Sequence, residues 1–334
     1  MRTALVTGAT GFIGHHVAHH LLEHGWHVRA LVRPASRDDR RWPTDAEVVL
    51  GSILDESVVA DAAAGCDAIF HVAAHYSLAR HQANAVFTTN MQSTANAIAA
   101  AWRSGAKLVH TSSVATIGIP ADGTPGDEDT PLDPAHVVGA YKRSKVASER
   151  LVLQAARDGL WATVVNPSAP MGPGDWRPTP TGRIVRDYLR GRLRAFVDTG
   201  LNVIDVRDVA NGHRLALEHG RPGRRYILGN QNMTLQQILV MLAELTGRRP
   251  PTRRVPHALA MGVAGISEFV EGRILHREPF APLDGARMAR TYMFFSSQRA
   301  IDELGLAPSD VRSALSDAVN WFQGSPATAA GVPR

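Results

Sequence analysis

The sequence holds a single cysteine, Cys66, among its 334 residues. One thiol forms no internal disulfide and no cysteine-based metal site, a usage that fits a reducing compartment. No uninterrupted apolar run approaches the ~20 residues that a membrane span needs. The opening residues, Met-Arg-Thr-Ala-Leu-Val-Thr-Gly, meet a glycine too soon for a secretory h-region. These absences lead to the expectation of a cytoplasmic protein with no membrane span. Blocks of lysine and arginine are missing too. The formal net charge of +5 comes from scattered arginines with no aromatic interleaving, so no nucleic-acid partner is expected. A basic surface of this kind suits anionic small molecules. What is present is a hydrophobic fraction of 44% against 20% charged residues, enough for a packed core. At roughly 150 residues per domain the length suggests two lobes or one large α/β unit.

The first half alternates between apolar runs and amphipathic stretches. Strands are expected at residues 3–6, 28–32, 47–50, 68–72, 107–111 and 162–165, and helices at 12–22, 55–63, 83–102 and 141–156. Regular alternation of this kind implies a parallel sheet covered on both faces. Residues 167–182, rich in Pro, Gly and Thr, read as one long loop, of the kind that carries function near the carboxyl ends of strands. Residues 203–206, 209–218 and 225–228 look like a return to the sheet, and the chain from 234 onward reads as mostly helical.

After the first strand comes Thr7-Gly8-Ala9-Thr10-Gly11-Phe12-Ile13-Gly14. Gly8 permits a tight turn, Gly11 lets a pyrophosphate approach the backbone, and Gly14 lets the helix pack against the strand. The helix N-terminus then offers N–H groups and a positive dipole end to phosphates. Gly8, Thr10, Gly11, Phe12 and Ile13 are therefore candidate cofactor-binding residues in a Rossmann-type domain. At the end of the second strand, where an acidic residue would bind the ribose of NAD, the chain has Arg33, followed by Ser36 and Arg37. These residues favour NADP(H) over NAD(H), although Asp38 and Asp39 follow closely and Arg33 stacked on an adenine is the bland alternative.

Tyr141 and Lys145 stand four apart, on one helix face a turn from each other. A tyrosine with a pKa near 10 is a poor base at neutral pH, and a neighbouring ammonium would bring it down. The fifth strand ends at Thr111-Ser112-Ser113, which sets Ser113 to hold a reacting oxygen while Tyr141 exchanges its proton. Glycine motif, serine strand and Tyr–Lys pair, in that order, resemble the extended short-chain dehydrogenase/reductase family (NAD-dependent epimerase/dehydratases), over nearly all residues to about 323. His71-Val72-Ala73-Ala74, Thr89-Asn90-Met91-Gln92-Ser93-Thr94 and Asn166-Pro167-Ser168 carry it further.

The resemblance implies an α/β fold: a Rossmann-type doubly wound parallel sheet with a smaller, mostly helical substrate lobe. Residues 1–166, with 203–229 returning, would bind NAD(P). Residues 167–202 and 230–323 would bind substrate, and 324–334 would be a loose tail. Ser113, Tyr141 and Lys145 become the catalytic residues. Ser52, Ile53, Ala73, Ala74, Asn90, Pro167 and Ser168 join the cofactor contacts, with Ser52 standing where the family often has aspartate. Closer still, residues 166–173, 178–183, 198–202, 226–229 and 293–297 resemble the hopanoid-associated sugar epimerase subfamily, and the overall pattern is similar to dihydroflavonol-reductase-like carbonyl reductases. One departure stands out. Well-understood nucleotide-sugar epimerases have an arginine gripping the substrate diphosphate just before residue 203, where this chain has Leu201-Asn202.

Other features are weaker. His75, Tyr76, Met171 and Arg183 are candidate substrate contacts. Six of the 15 histidines fall between His15 and His27, some at i,i+4 spacing, but they lie mostly off the apolar face of their helix and no metal is expected. Asp208 reads as a helix cap. The helices at 83–102 and 141–156 would pair two copies into a homodimer. A cofactor-sensing protein without catalysis is the competing class, but such proteins commonly lack the tyrosine or lysine, and both are here.

Overall fold

The computed structural model describes residues 1–39, 42–77, 80–268 and 283–324; the expected loose tail lies, but for Gly324, outside them. In chain order the elements are β1 (Thr3–Thr7), α1 (Phe12–Glu23), β2 (His27–Val32), β3 (Glu47–Leu50), α2 (Glu56–Ala63), β4 (Ala68–His71), α3 (Ala83–Ser104) and β5 (Lys107–Thr111). Then come α4 (Ala140–Arg157), β6 (Ala162–Pro167), β7 (Ala169–Met171), α5 (Pro180–Leu189), β8 (Ala195–Val197), β9 (Gly200–Asp205), α6 (Val206–Glu218) and β10 (Arg225–Leu228). The rest is β11 (Gln231–Thr234), α7 (Leu235–Thr246), β12 (Arg253–Val255), α8 (His257–Ser267), α9 (Leu283–Met288), β13 (Tyr292–Met293), α10 (Gln298–Leu304) and α11 (Val311–Gly324).

The main sheet has seven strands in the order β10-β6-β5-β4-β1-β2-β3, every pair parallel. Its central strands are apolar on both faces because both faces are covered. Ala4, Val6, Val28 and Phe70 pack with Val17, Leu21 and Val209 on one side, and Leu5, Ile69 and Leu108 pack with Ala97, Ala101 and Val152 on the other. Local chemistry sets the element ends. Asp55 caps α2 by accepting from Ser57 N at 3.0 Å, and Thr234 with Gln237 forms a reciprocal capping box on α7.

The region expected to be one loop, 167–182, is only partly so. Residues 162–167 extend the sheet, 169–171 form β7, and Pro180 already opens α5, leaving 172–179 as the connection. Proline at the first turn of a helix costs no hydrogen bond, which is why a Pro-Thr-Pro run starts a helix here. The return to the sheet also differs from expectation. α6 and β10 rejoin the main sheet, but β9 lies in a four-stranded sheet with β11, β13 and β7. An apolar pattern records burial, and it does not record which sheet the strand joins. Conversely Ala300, Leu304 and Leu306, in and just after α10, pack into the main sheet's core although they come late in the chain. The helix before β10 starts at Val206, so Asp205 is its cap, and Asp208 instead accepts from Ser309 N at 2.7 Å, tying α6 to the segment before α11. The smaller lobe has its own core around Met171, Val185, Ile238, Leu242 and Phe322.

The junction of β1 and α1 is the tightest point of the fold. Gly8 has φ +74°, and a Cβ on Gly14 would stand 2.1 Å from the Gly8 carbonyl oxygen. Backbone meets backbone there, so nothing can yield cheaply. Gly14→Ala is expected to destabilise the protein by about 2 kcal/mol through forced separation of helix and strand, read as a lowered midpoint in urea unfolding. A midpoint unchanged from the parent would refute the close-packing account.

Candidate active site

The carboxyl edges of β1, β4, β5 and β6 converge with the N-terminal ends of α1 and α4. In the first turn, Gly11 N donates to Gly8 O at 2.8 Å and α1 starts with no side-chain cap and no acidic residue. The uncapped N–H groups suit an anion. Thr7 Oγ1 accepts from Val72 N and Ala73 N, both at 3.1 Å, and a Cβ on Gly8 would lie 2.8 Å from Ala73 N. The glycine turn and the Ala73 segment thus form one wall of a narrow cradle. The residues present fit a dinucleotide: an uncapped helix end, glycines where a side chain would fill the space, and the buried Ser112 and Ser168 hydroxyls, which have no hydrogen-bond partner among the described residues.

Arg33 is exposed directly after β2, where it can meet a phosphate. Ser36 does not share that position: it is buried in the short helical turn that follows, and its N–H donates to Arg33 O. Arg37, Asp38 and Asp39 have side chains outside the described set. Ser52 Oγ accepts from Leu54 N at 3.2 Å and Ile53 O accepts from Asn96 at 2.8 Å, so both shape the turn after β3. Asn90 is not open to a cofactor. Its amide is buried and spent, accepting from His75 N at 2.7 Å and donating to His75 O at 3.0 Å and Ser144 Oγ at 2.9 Å. It staples the segment after β4 to α4, because an amide in the middle of α3 faces both.

Tyr141 lies in the first turn of α4 and Lys145 one turn on. The Tyr141 hydroxyl hydrogen-bonds Ser113, which opposes but does not cancel the effect of burial, and burial pushes the phenol up to about 12. The Lys145 ammonium was expected to lower it. Instead, Lys145 Nζ donates to Thr111 O at 2.8 Å, and burial brings the ammonium down to about 8, partly offset by Glu149. At neutral pH the pair is a protonated phenol beside a cation that is costly to hold. Ser113 Oγ also accepts from Ala115 N at 3.1 Å, fixing its rotamer. Tyr76, an expected substrate contact, stands edge-on to Tyr141 with ring centroids 4.6 Å apart, and His75 precedes it. Met171 does not line an opening: it is 1% exposed inside the smaller lobe's core, because β7 is a paired strand there and no longer loop. Arg183 is half-buried on α5 and donates to Pro178 O at 3.3 Å.

The spacing argument missed a supporting network. Glu149 Oε2 accepts from Thr116 Oγ1 at 2.7 Å and Asn166 Nδ2 at 2.8 Å, while Glu149 Oε1 accepts from Arg225 at 3.0 Å. Asn166 Nδ2 also donates to Ser113 O at 3.1 Å. Glu149 is the next i,i+4 position after Lys145, which is the signal that marks it in the sequence. Beneath the site, His71 sits between Thr7 at 3.0 Å and Thr94 at 3.4 Å. Burial, with Lys145 nearby, pushes His71 down to about 3 and His110 well below its usual value, so both are neutral. Near α1's start, His16 is likewise pushed down by burial to about 4 and bonds Pro173 O at 2.9 Å.

A family model described as NAD dependent epimerase/dehydratase family matches residues 4–229. A Synechocystis sp. protein named "Putative dihydroflavonol 4-reductase" is 44% identical over 95% of this chain and 94% of its own length. "Sterol demethylase protein B" of Methylococcus capsulatus is 35% identical over 96% of this chain and 98% of its own. Among solved structures, that of gox2253 is 41% identical, with a TM-score of 0.84 over 96% of this chain and 98% of that one.

The site carries its cost in Lys145, 5% exposed. Lowering its pKa from 10.5 to about 8 corresponds to about 3 kcal/mol of penalty at neutral pH, and loss of the bond to Thr111 would return roughly 1 kcal/mol. Lys145→Met is therefore expected to abolish activity yet stabilise the fold at pH 7 by about 2 kcal/mol. The folded-state value lies below the unfolded one, so the penalty is full below pH 8 and fades as pH rises toward 10.5. Denaturant titrations at pH 7 and pH 10 should show the stabilisation shrinking; a variant less stable at pH 7 would contradict this picture.

Proposed function

The chain belongs to the NAD dependent epimerase/dehydratase family, and within it we propose an NADPH-dependent reductase that converts a ketone to a secondary alcohol with net consumption of cofactor. The observation that carries the reading is Tyr141 itself, a buried phenol held protonated against Ser113, which is the state a proton donor needs. When bound, the nicotinamide cofactor supplies the hydride. Ser113 and Tyr141 bind the substrate oxygen, and Tyr141 gives it a proton as negative charge develops. Lys145, positive at neutral pH, stabilises the tyrosinate that is left. Arg33 supports NADPH over NADH by its place at the end of β2.

Net reduction is favoured over sugar epimerisation by what stands in the smaller lobe. Asn202 is buried and fully spent, donating to Asn232 Oδ1 at 2.8 Å and Phe295 O at 3.0 Å and accepting from Asn230 N at 2.9 Å. A diphosphate placed there would meet a spent amide and not an arginine at this position, and burying it without a cation carries a considerable desolvation cost. The names of the Synechocystis and Methylococcus relatives support an apolar carbonyl substrate. The second reading, a hopanoid-associated sugar epimerase, is favoured by the Asn166–Pro173 and 198–202 motifs. Epimerisation uses the same three residues and returns the hydride to the substrate.

The test is the nucleotide. Purified protein should bind NADPH well and NADH poorly, and consume NADPH in step with alcohol formed from hydrophobic ketones. NAD released only by denaturation, with no net consumption, would sink the reductase reading in favour of the epimerase. The outer faces of α3 and α4 expose Phe87, Trp102 and Leu151, which supports pairing of two copies through these helices; light scattering should give twice the mass of the chain, and a monomer would end that idea.

A further inference from the structure

One helix of the smaller lobe is packed the wrong way for a surface helix. Of the described residues of α8, only Ala264 is buried, although the sequence is almost wholly apolar. Leu259, Val263 and Ile266 are 59%, 49% and 67% exposed, and their i, i+4, i+7 spacing puts them on one face. Isolated exposed leucines are ordinary, but three on one stripe are not.

The strands and turns that lead into this helix are basic. α8 follows β12 directly, and β12 pairs in parallel with β8, Arg253 opposite Ala195 and Arg254 opposite Phe196. The turn leading into β8 supplies Arg192 and Arg194, and the turn leading into β12 supplies Arg248 and Arg249; all six arginines are exposed. Of these six, Arg254 pairs with Asp198, which also accepts from the Tyr292 hydroxyl at 2.6 Å. Arg192, Arg194, Arg249 and Arg253 make no ion pair among the described residues. At the other end of the helix Glu268 accepts from Leu283 N at 3.2 Å.

We propose that α8 and the arginines at the β8/β12 turns dock this protein on the surface of an anionic lipid bilayer. The apolar stripe would enter the headgroup–acyl boundary with the helix lying in the plane of the membrane, and the arginines would sit among the headgroups. The charge selects this occupant. An apolar peptide or a second copy would bury the stripe equally well but would gain nothing from a fan of unpaired guanidiniums, and two copies of it would repel. No described helix is long and apolar enough to cross a membrane, so the attachment is peripheral and reversible. The inference does not depend on the reaction proposed above.

The experiment is sedimentation of the full chain with vesicles of phosphatidylcholine alone or mixed with phosphatidylglycerol. Wild type should pellet with the mixed vesicles, stay in the supernatant with phosphatidylcholine, and come off as salt is raised. The triple variant Leu259→Ser/Val263→Ser/Ile266→Ser and the pair Arg249→Glu/Arg253→Glu should each lower the bound fraction by about tenfold or more. All five positions are exposed, so thermal midpoints should be unchanged and confirm folding. Failure of wild type to bind the mixed vesicles, or binding that survives the triple variant, would overturn the proposal. So would a dimer that the triple variant turns into monomer, which would assign the stripe to a second copy.

Discussion

The site depends on one shared carboxylate. Glu149 is buried, and its two oxygens take hydrogen bonds from Thr116, Asn166 and Arg225. These three partners come from the turn after β5, the end of β6 and the start of β10, and Glu149 joins them to α4. A buried charge of this kind tolerates no missing partner, because each lost bond leaves the ion desolvated. The network therefore fixes the distance between Ser113, whose carbonyl Asn166 also holds, and the helix carrying Tyr141 and Lys145. Without that constraint Ser113, after β5, and the Tyr141–Lys145 pair on α4 would be held by separate elements.

Held in this way, both side chains are buried and still protonated at neutral pH. Lys145 stays an ammonium at neutral pH despite burial, and Tyr141 stays a phenol. The floor beneath them stays uncharged: His71 and His110 remain neutral because protonating either would add a second cation beside Lys145 in a place without solvent. Among the described residues, neither ring nitrogen of His110 nor the hydroxyls of Ser112 and Ser168 find a hydrogen-bond partner. Such groups are a loss to the fold, and they cluster where chemistry is to be done.

The two lobes are joined through the strands that leave β6. Pro167 ends a parallel strand of the main sheet, and two residues later Ala169 begins β7, paired with β9 in the small sheet. That short passage carries the chain from the main sheet into the smaller lobe. It also explains why Met171 is core and not lining, and why Asn202, on β9, is absorbed in holding Asn230, Asn232 and Phe295 together.

The sequence alone determined the alternating parallel architecture, the glycine turn, the candidate Ser113, Tyr141 and Lys145 set and the family. Each depends on short-range features: the period of apolar residues, a turn that only glycine can make, and a one-turn spacing on a helix. Arg33 at the end of β2 was legible for the same reason. What the tertiary structure decided are the long-range facts. These include which sheet takes β9, that α10 packs against the first domain, that Ser36 and Met171 are buried, and that Asn90 is a staple. The direction of Lys145 toward Thr111 and the rise of Tyr141 belong here as well. A side chain's partners and its loss of water come from elements far apart in the chain, as with Glu149 and Arg225 at either side of β6, and local pattern carries no record of them.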